Sequence, residues 1–335
     1  MPYIGDALYL ETLDLEGCIQ LEEIGLSIVL SRKLTYLNLK GCKSLIKLPK
    51  FGEDLILKVL DLEGCQKLRH IDPSIGLLKE LTYLNLKGCK SLIKLPQFGE
   101  DLILKELDLK GCQKLRHIDP SIGLLKKLSY LNLENCKNLE SLPNSIIGLN
   151  SLFYLNLSGC TKLYNIQLLY ELRDAEHLEK IDIDGAPIHF QSTSSYSREH
   201  KKSVSCLMPS SPIFPCMREL DLSFCNLVQI PDAIGIICGL EQLDLSGNNF
   251  ATLPNLKKLS ELVCLKLQHC KHLKSLPELP SRIDEGRRTF SLKLLPANPR
   301  YRGRKAGLYI FNCPELVDRE GCTDMALSWM IKLSQ

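Results

Sequence analysis

Leu34-Thr35-Tyr36-Leu37-Asn38-Leu39-Lys40-Gly41-Cys42 is the stretch that decides the fold, because its spacing, L-x-x-L-x-L-x-x-C, returns along the whole chain. An earlier copy is Leu10-Leu13-Leu15-Cys18. Later ones are Leu57-Leu60-Leu62-Cys65, Leu81-Leu84-Leu86-Cys89, Leu104-Leu107-Leu109-Cys112, Leu128-Leu131-Leu133-Cys136 and Leu152-Leu155-Leu157-Cys160, with successive cysteines 23 or 24 residues apart. Looser copies follow at Leu178-Ile181-Ile183-Ala186, Met217-Leu220-Leu222-Cys225, Leu240-Leu243-Leu245-Asn248 and Leu262-Leu265-Leu267-Cys270, and a partial one at Leu308-Ile310-Cys313. A fixed period over about a dozen copies is the signature of a repeat architecture.

Within L-x-L the side chains alternate as in a short strand, so the leucines point inward and the residues between them point out. One turn of chain cannot bury its own leucines, but stacked turns can. Each buried Leu or Ile then contributes about 1.5–3 kcal/mol. The ninth position, usually Cys, falls where the chain leaves the strand. A small side chain there can bond the backbone of the turn, as Asn248 is expected to do and Cys does more weakly. Gly precedes it at Gly41 and at five other copies, as a tight turn favours. Leu-Pro pairs such as Leu48-Pro49, Leu95-Pro96 and Leu142-Pro143 oppose long helices on the far side. The expected fold is an α/β leucine-rich-repeat solenoid, with a curved, concave parallel sheet of short strands and an irregular convex side.

Two intervals exceed the period. Loop insertions are expected near 187–215, rich in Ser and Pro, and near 281–305. The solenoid is expected to run over residues 1–317, and 318–335 to form a short apolar capping segment. The first turn starts almost at Met1 with no cap before it, so natural upstream sequence is expected. Residues 34–80 and 81–127 are nearly the same sequence. They differ only at Lys50/Gln97, Val59/Glu106, Glu63/Lys110 and Glu80/Lys127.

Outward positions form columns. The third position carries Tyr36, Val59, Tyr83, Glu106, Tyr130, Tyr154 and Lys180, which are the expected partner-binding residues of the concave face. Tyr offers a large rigid area with a polar tip and suits contact surfaces. The same tyrosines could instead pack on one another across strands. The fifth position alternates Asn and Asp and is expected to satisfy neighbouring strand edges. A second candidate is a basic cluster in the later insertion, Arg287, Arg288, Arg300, Arg302, Arg304 and Lys305, which fits either an anionic partner or a solvated loop.

The 335 residues are 44% apolar and 24% charged, with a net charge of +3, so nothing favours nucleic acid or a membrane surface. No secretory signal or membrane span is visible, and a cytoplasmic place, or a nuclear one, is expected. The 15 cysteines are odd in number and follow the repeat, which fits reduced thiols better than disulfides. There is no phosphate-binding loop, nucleophile elbow or zinc-protease motif. His269, Cys270 and His272 lack a second ligand cluster, so no metal is expected. No catalytic residue, cofactor or small-molecule substrate is expected either, and the chain is not expected to be an enzyme.

The Leu34–Cys42 phrase, Leu139-Glu140-Ser141-Leu142-Pro143-Asn144-Ser145-Ile146, Leu276-Pro277-Glu278-Leu279-Pro280 and Phe311-Asn312-Cys313-Pro314-Glu315-Leu316 together resemble one family. It is the leucine-rich-repeat region of plant intracellular immune receptors, the TIR-NBS-LRR disease resistance proteins that carry a Toll/interleukin-receptor-like domain and a nucleotide-binding domain upstream. The resemblance covers essentially the whole chain. It implies protein partners: a pathogen effector or a guarded host protein, and the nucleotide-binding domain that the repeats restrain in a full-length receptor. Those upstream domains are not in this sequence, so nucleotide binding maps to no residue here. The alternatives are a stand-alone repeat adaptor and an extracellular receptor ectodomain.

Overall fold

A computed structural model describes residues 9–25, 31–52, 54–163, 177–186, 214–280 and 307–316. The chain divides into two compact units, Met1–Lys201 and Lys202–Gln335. Both expected insertions fall almost wholly outside the described residues. So do the capping segment 318–335 and the cluster Arg287, Arg288, Arg300, Arg302, Arg304 and Lys305.

The first unit stacks eight three-residue strands in chain order: β1 Thr12–Asp14, β2 Tyr36–Asn38, β3 Val59–Asp61, β4 Tyr83–Asn85, β5 Glu106–Asp108, β6 Tyr130–Asn132, β7 Tyr154–Asn156 and β8 Lys180–Asp182. Each pairs in parallel with the next, without a register slip. The second unit repeats the scheme with β9 Glu219–Asp221, β10 Gln242–Asp244, β11 Cys264–Lys266 and β12 Gly307–Tyr309. The fold is a parallel-strand solenoid, and every strand falls on a repeat legible in the sequence.

Inside each coil the framework aliphatics are sealed from water. Leu34, Leu37, Leu39 and their counterparts in the following turns are fully buried. The ninth position closes the turn. The Cys42 Sγ donates to the Leu15 carbonyl at 3.2 Å, Cys89 to Leu62 at 3.2 Å and Cys136 to Leu109 at 3.2 Å, so each thiol ties its turn to the one before. Burial pushes these thiols up, Cys89 and Cys160 to about 12, which keeps them protonated and unreactive. The residue before the Cys has a positive φ, 72° at Gly41 and 59° at Asn135. That explains both the recurrent Gly and its replacement by Asn, the side chain that best tolerates this region.

The far side holds 3-10 turns at Pro73–Leu77, Pro120–Leu124, Asn144–Gly148 and Asp232–Ile236, and no α-helix among the described residues. Two of these turns begin with Pro after an Asp cap. The Asp72 Oδ1 accepts from the Ser74 N–H at 3.0 Å, and Asp119 does the same for Ser121 at 2.9 Å. Each serine hydroxyl then accepts the N–H of a phenylalanine one coil away, Phe51 at 2.8 Å and Phe98 at 2.9 Å.

Candidate interaction face of the sheet

In the first unit the strand register lines up Tyr36, Val59, Tyr83, Glu106, Tyr130, Tyr154 and Lys180 as one outward column, each residue opposite the next. Glu106 is exposed, and the other six are half-buried. Val59 and Glu106 separate the first three tyrosines, so only Tyr130 and Tyr154 sit on adjoining strands. Those two stack, with ring centroids 4.9 Å apart and planes 21° from parallel. The Lys180 ammonium lies 5.6 Å from the Tyr154 ring centre and extends the cluster by a cation–π contact. Packing across strands and an outward-facing edge therefore coexist in the same residues.

The fifth-position column locks this surface in place. Each Asx Oδ1 accepts the N–H two residues on: 2.9 Å from Glu63 to Asp61, 3.0 Å from Lys87 to Asn85 and 2.8 Å from Lys110 to Asp108. Each Asn amide also donates to the preceding Asp. The distances are 3.0 Å for Asn38 to Asp14, 3.1 Å for Asn85 to Asp61 and 3.3 Å for Asn132 to Asp108. From β1 to β6 the Asp–Asn alternation makes three donor–acceptor pairs, and the column's role is structural, with the capped N–H groups lying in its own turns and not on a neighbouring strand. At β7 the pattern changes partners. The Asn156 amide donates to the Tyr154 hydroxyl at 2.9 Å, which in turn donates to Asp182 at 2.8 Å.

Ionisation follows from this crowding. Burial, then the carboxylates of Asp61 and Asp108, pushes the Tyr83 hydroxyl up to about 12. Burial and Asp182 raise Tyr154 well above the ordinary tyrosine range. Burial raises the Asp108 carboxyl against the pull of its own hydrogen bonds. Tyr83 and Tyr154 therefore stay neutral at physiological pH, and Tyr154 keeps the proton it donates to Asp182. On the seventh-position column, Lys40 bridges Glu16 at 4.0 Å and Glu63 at 3.5 Å, Lys87 holds Glu63 at 2.8 Å, and Lys110 holds Glu134 at 2.7 Å.

The second unit carries a different face. Gln242 donates to Glu219 at 3.3 Å, and Lys266 pairs with Asp244 at 2.9 Å. His272 meets Glu315 at 3.0 Å, and His269 meets the Asn312 amide at 3.1 Å. Among the described residues no group of three or more His, Cys, Asp or Glu could hold a metal ion. No described helix is long and apolar enough to cross a membrane.

Sequence columns revealed which residues share the face, but not the Tyr154–Asp182 tie or the three Asn-to-Asp pairs. A second ladder, just past the strands, also went unread. There His70 pairs with Lys94 and His117 with Ser141 in parallel bridges.

Family models of the leucine-rich repeat match residues 103–161, 216–236 and 239–259. The chain is 34% identical over 157 residues to TMV resistance protein N of Nicotiana glutinosa, covering 43% of this chain and 14% of that protein. It is 33% identical over 216 residues to disease resistance-like protein DSC1 of Arabidopsis thaliana, covering 52% of this chain and 18% of that one. The chain thus spans less than a fifth of either relative's length. Among solved structures, a leucine-rich-repeat protein of Leptospira interrogans aligns at 21% identity and a TM-score of 0.34, over 83% of this chain and 92% of that one. The chain is a leucine-rich-repeat protein, and its repeats are of the kind that make up the leucine-rich-repeat region of plant disease resistance proteins.

Proposed function

We propose that this chain is the non-enzymatic recognition region of a plant intracellular immune receptor of the TIR-NBS-LRR class. Its sheet face docks a pathogen effector or a guarded host protein, and in a full-length receptor the repeats also restrain the nucleotide-binding domain. Contact with the effector shifts a two-state balance toward the active form. The repeat domain is taken to extend over residues 1–317, with 318–335 closing its end, and the protein to work in the cytoplasm or nucleus. All described cysteines are free thiols, which suits a reducing compartment.

One observation carries the reading: part of the sheet face of the first unit is ordered before any partner arrives. Tyr130 and Tyr154 are held by stacking, and Asp61 and Asp108 of the fifth-position column by backbone N–H groups. Fixing such side chains in advance lowers the entropic cost of association. Half-buried Tyr is a residue type enriched at contact centres.

The test is a pull-down of the native partner from challenged plant tissue with wild-type protein and with Tyr83→Ala/Tyr130→Ala. Tyr83 and Tyr130 are half-buried, so the melting temperature should move by no more than about 3 °C. Capture should fall at least tenfold, the size of a hot-spot loss. Undiminished capture by a folded double variant would remove the tyrosine face from the proposal.

A further inference from the structure

The first unit sorts its charge by face. On the sheet face each lysine is matched by a carboxylate: Lys40 and Lys87 by Glu63, Lys110 by Glu134 and Lys180 by Asp182. Where the chain leaves β3, β4 and β5 the pattern inverts, between Glu22 and Glu23 after β1 and Glu140 after β6. Segments 65–71, 89–95 and 112–118 carry Lys67, Arg69, Lys90, Lys94, Lys114 and Arg116 and no carboxylate. All six are exposed, and among the described residues none is ion-paired.

Two of these segments are bonded to one another, and the third lies on the next coil of the stack, after β5. The Ile93 N–H donates to the Arg69 carbonyl at 3.0 Å, and His70 and Lys94 form a parallel bridge. One turn on, the Glu140 N–H donates to the Arg116 carbonyl at 2.9 Å. Stacked rungs lie about 4.8 Å apart, so cations on neighbouring rungs repel within one Debye length, about 8 Å at physiological salt. Isoleucines sit among the cations at the surface, Ile93 43% exposed and Ile46 49%.

We propose that this strip docks an acidic protein segment with apolar side chains set among its carboxylates. The six cations make no ion pair among the described residues, and an anionic partner would relieve their mutual repulsion. The exposed isoleucines supply apolar area that a phosphate backbone does not need. The segments 42–48, 65–71, 89–95, 112–118 and 136–142 hold no Phe, Tyr or Trp on which a base could stack, which weighs against single-stranded nucleic acid. None of the six cations belongs to the sheet face, so either surface can fail its test without the other.

The experiment measures binding of a fluorescent Glu-Glu-Leu repeat peptide to the full chain by anisotropy, at low and at moderate salt. K67E/R69E/K114E/R116E should weaken binding at least tenfold and flatten the salt dependence. K33E/K58E/K105E/K127E changes the net charge equally on the strand-entering side and should stay within about threefold of wild type. Ile93→Ser should cost about threefold. Should the reversal variant fail to fold by circular dichroism, K67Q/R69Q/K114Q/R116Q decides instead, with an expected loss of about fivefold. Equal losses from the strip and control variants would overturn the proposal. So would tighter binding of poly-uridine RNA or phosphatidylserine vesicles than of the peptide.

Discussion

Asn248 and Cys136 occupy the same place in two coils and solve the same problem with different strength. The Asn248 amide donates to the Leu222 and Leu245 carbonyls at 2.9 Å each, and its carbonyl oxygen accepts the Leu227 N–H at 3.0 Å. The Cys136 thiol makes a single bond, to the Leu109 carbonyl at 3.2 Å. Both residues are fully buried. Asn248→Ala would strand three backbone groups away from water and should cost about 3 kcal/mol. Cys136→Ala gives up one weak bond and a small volume, and should cost about 1 kcal/mol. Urea denaturation followed by circular dichroism should rank them in that order, and equal costs would mean that the polar bonds carry no weight. Period and residue type alone told the reader that this position closes the turn. Its partner, the carbonyl one coil earlier, required the stacking distance and was hidden.

At the level of the turn, space decides more than conformation. Gly76 lies in the 3-10 turn Pro73–Leu77, where a Cβ would overlap the Gln97 carbonyl oxygen of the neighbouring coil. Gly123 meets the Ser145 carbonyl in the same way, and Gly235 that of Asn255. Gly52 has nothing within 4 Å of an added Cβ. Gly76→Ala should therefore destabilise by about 3 kcal/mol by forcing two coils apart, whereas Gly52→Ala should stay within about 0.5 kcal/mol. Thermal melts of the two variants check this, and the idea of a steric contact fails if they match. The strands were legible to the residue because buried leucines two apart fix both face and register. The 3-10 turns were legible only as an absence of helix, since Leu-Pro forbids long helices without naming what replaces them. On the sheet face the membership of each column could be read from the sequence. That Tyr130 and Tyr154 stack could not, because the column gives their adjacency but not the ring orientation that decides between contact and divergence.

Across the chain, the duplicated block tests how independent the coils are. Residues 34–80 and 81–127 share every framework aliphatic, so β4 presents to β1 the same residues that β2 does. Removing 34–80 should leave a shorter protein in which Thr12 lies opposite Tyr83 in place of Tyr36. Far-UV circular dichroism per residue should be unchanged, and urea unfolding should remain a single transition at a slightly lower midpoint. A molten or aggregated product would show that stability depends on contacts beyond nearest neighbours.

A cassette whose leading and trailing edges fit each other is also a unit of inheritance. Unequal recombination within such a gene can add or delete two rungs, about 10 Å of stack, without opening a gap in the interior. Because Val59/Glu106 and Glu63/Lys110 lie on the solvent side, each new copy is free to diverge in what it offers while its scaffold stays fixed. Length and surface chemistry can then evolve on separate clocks.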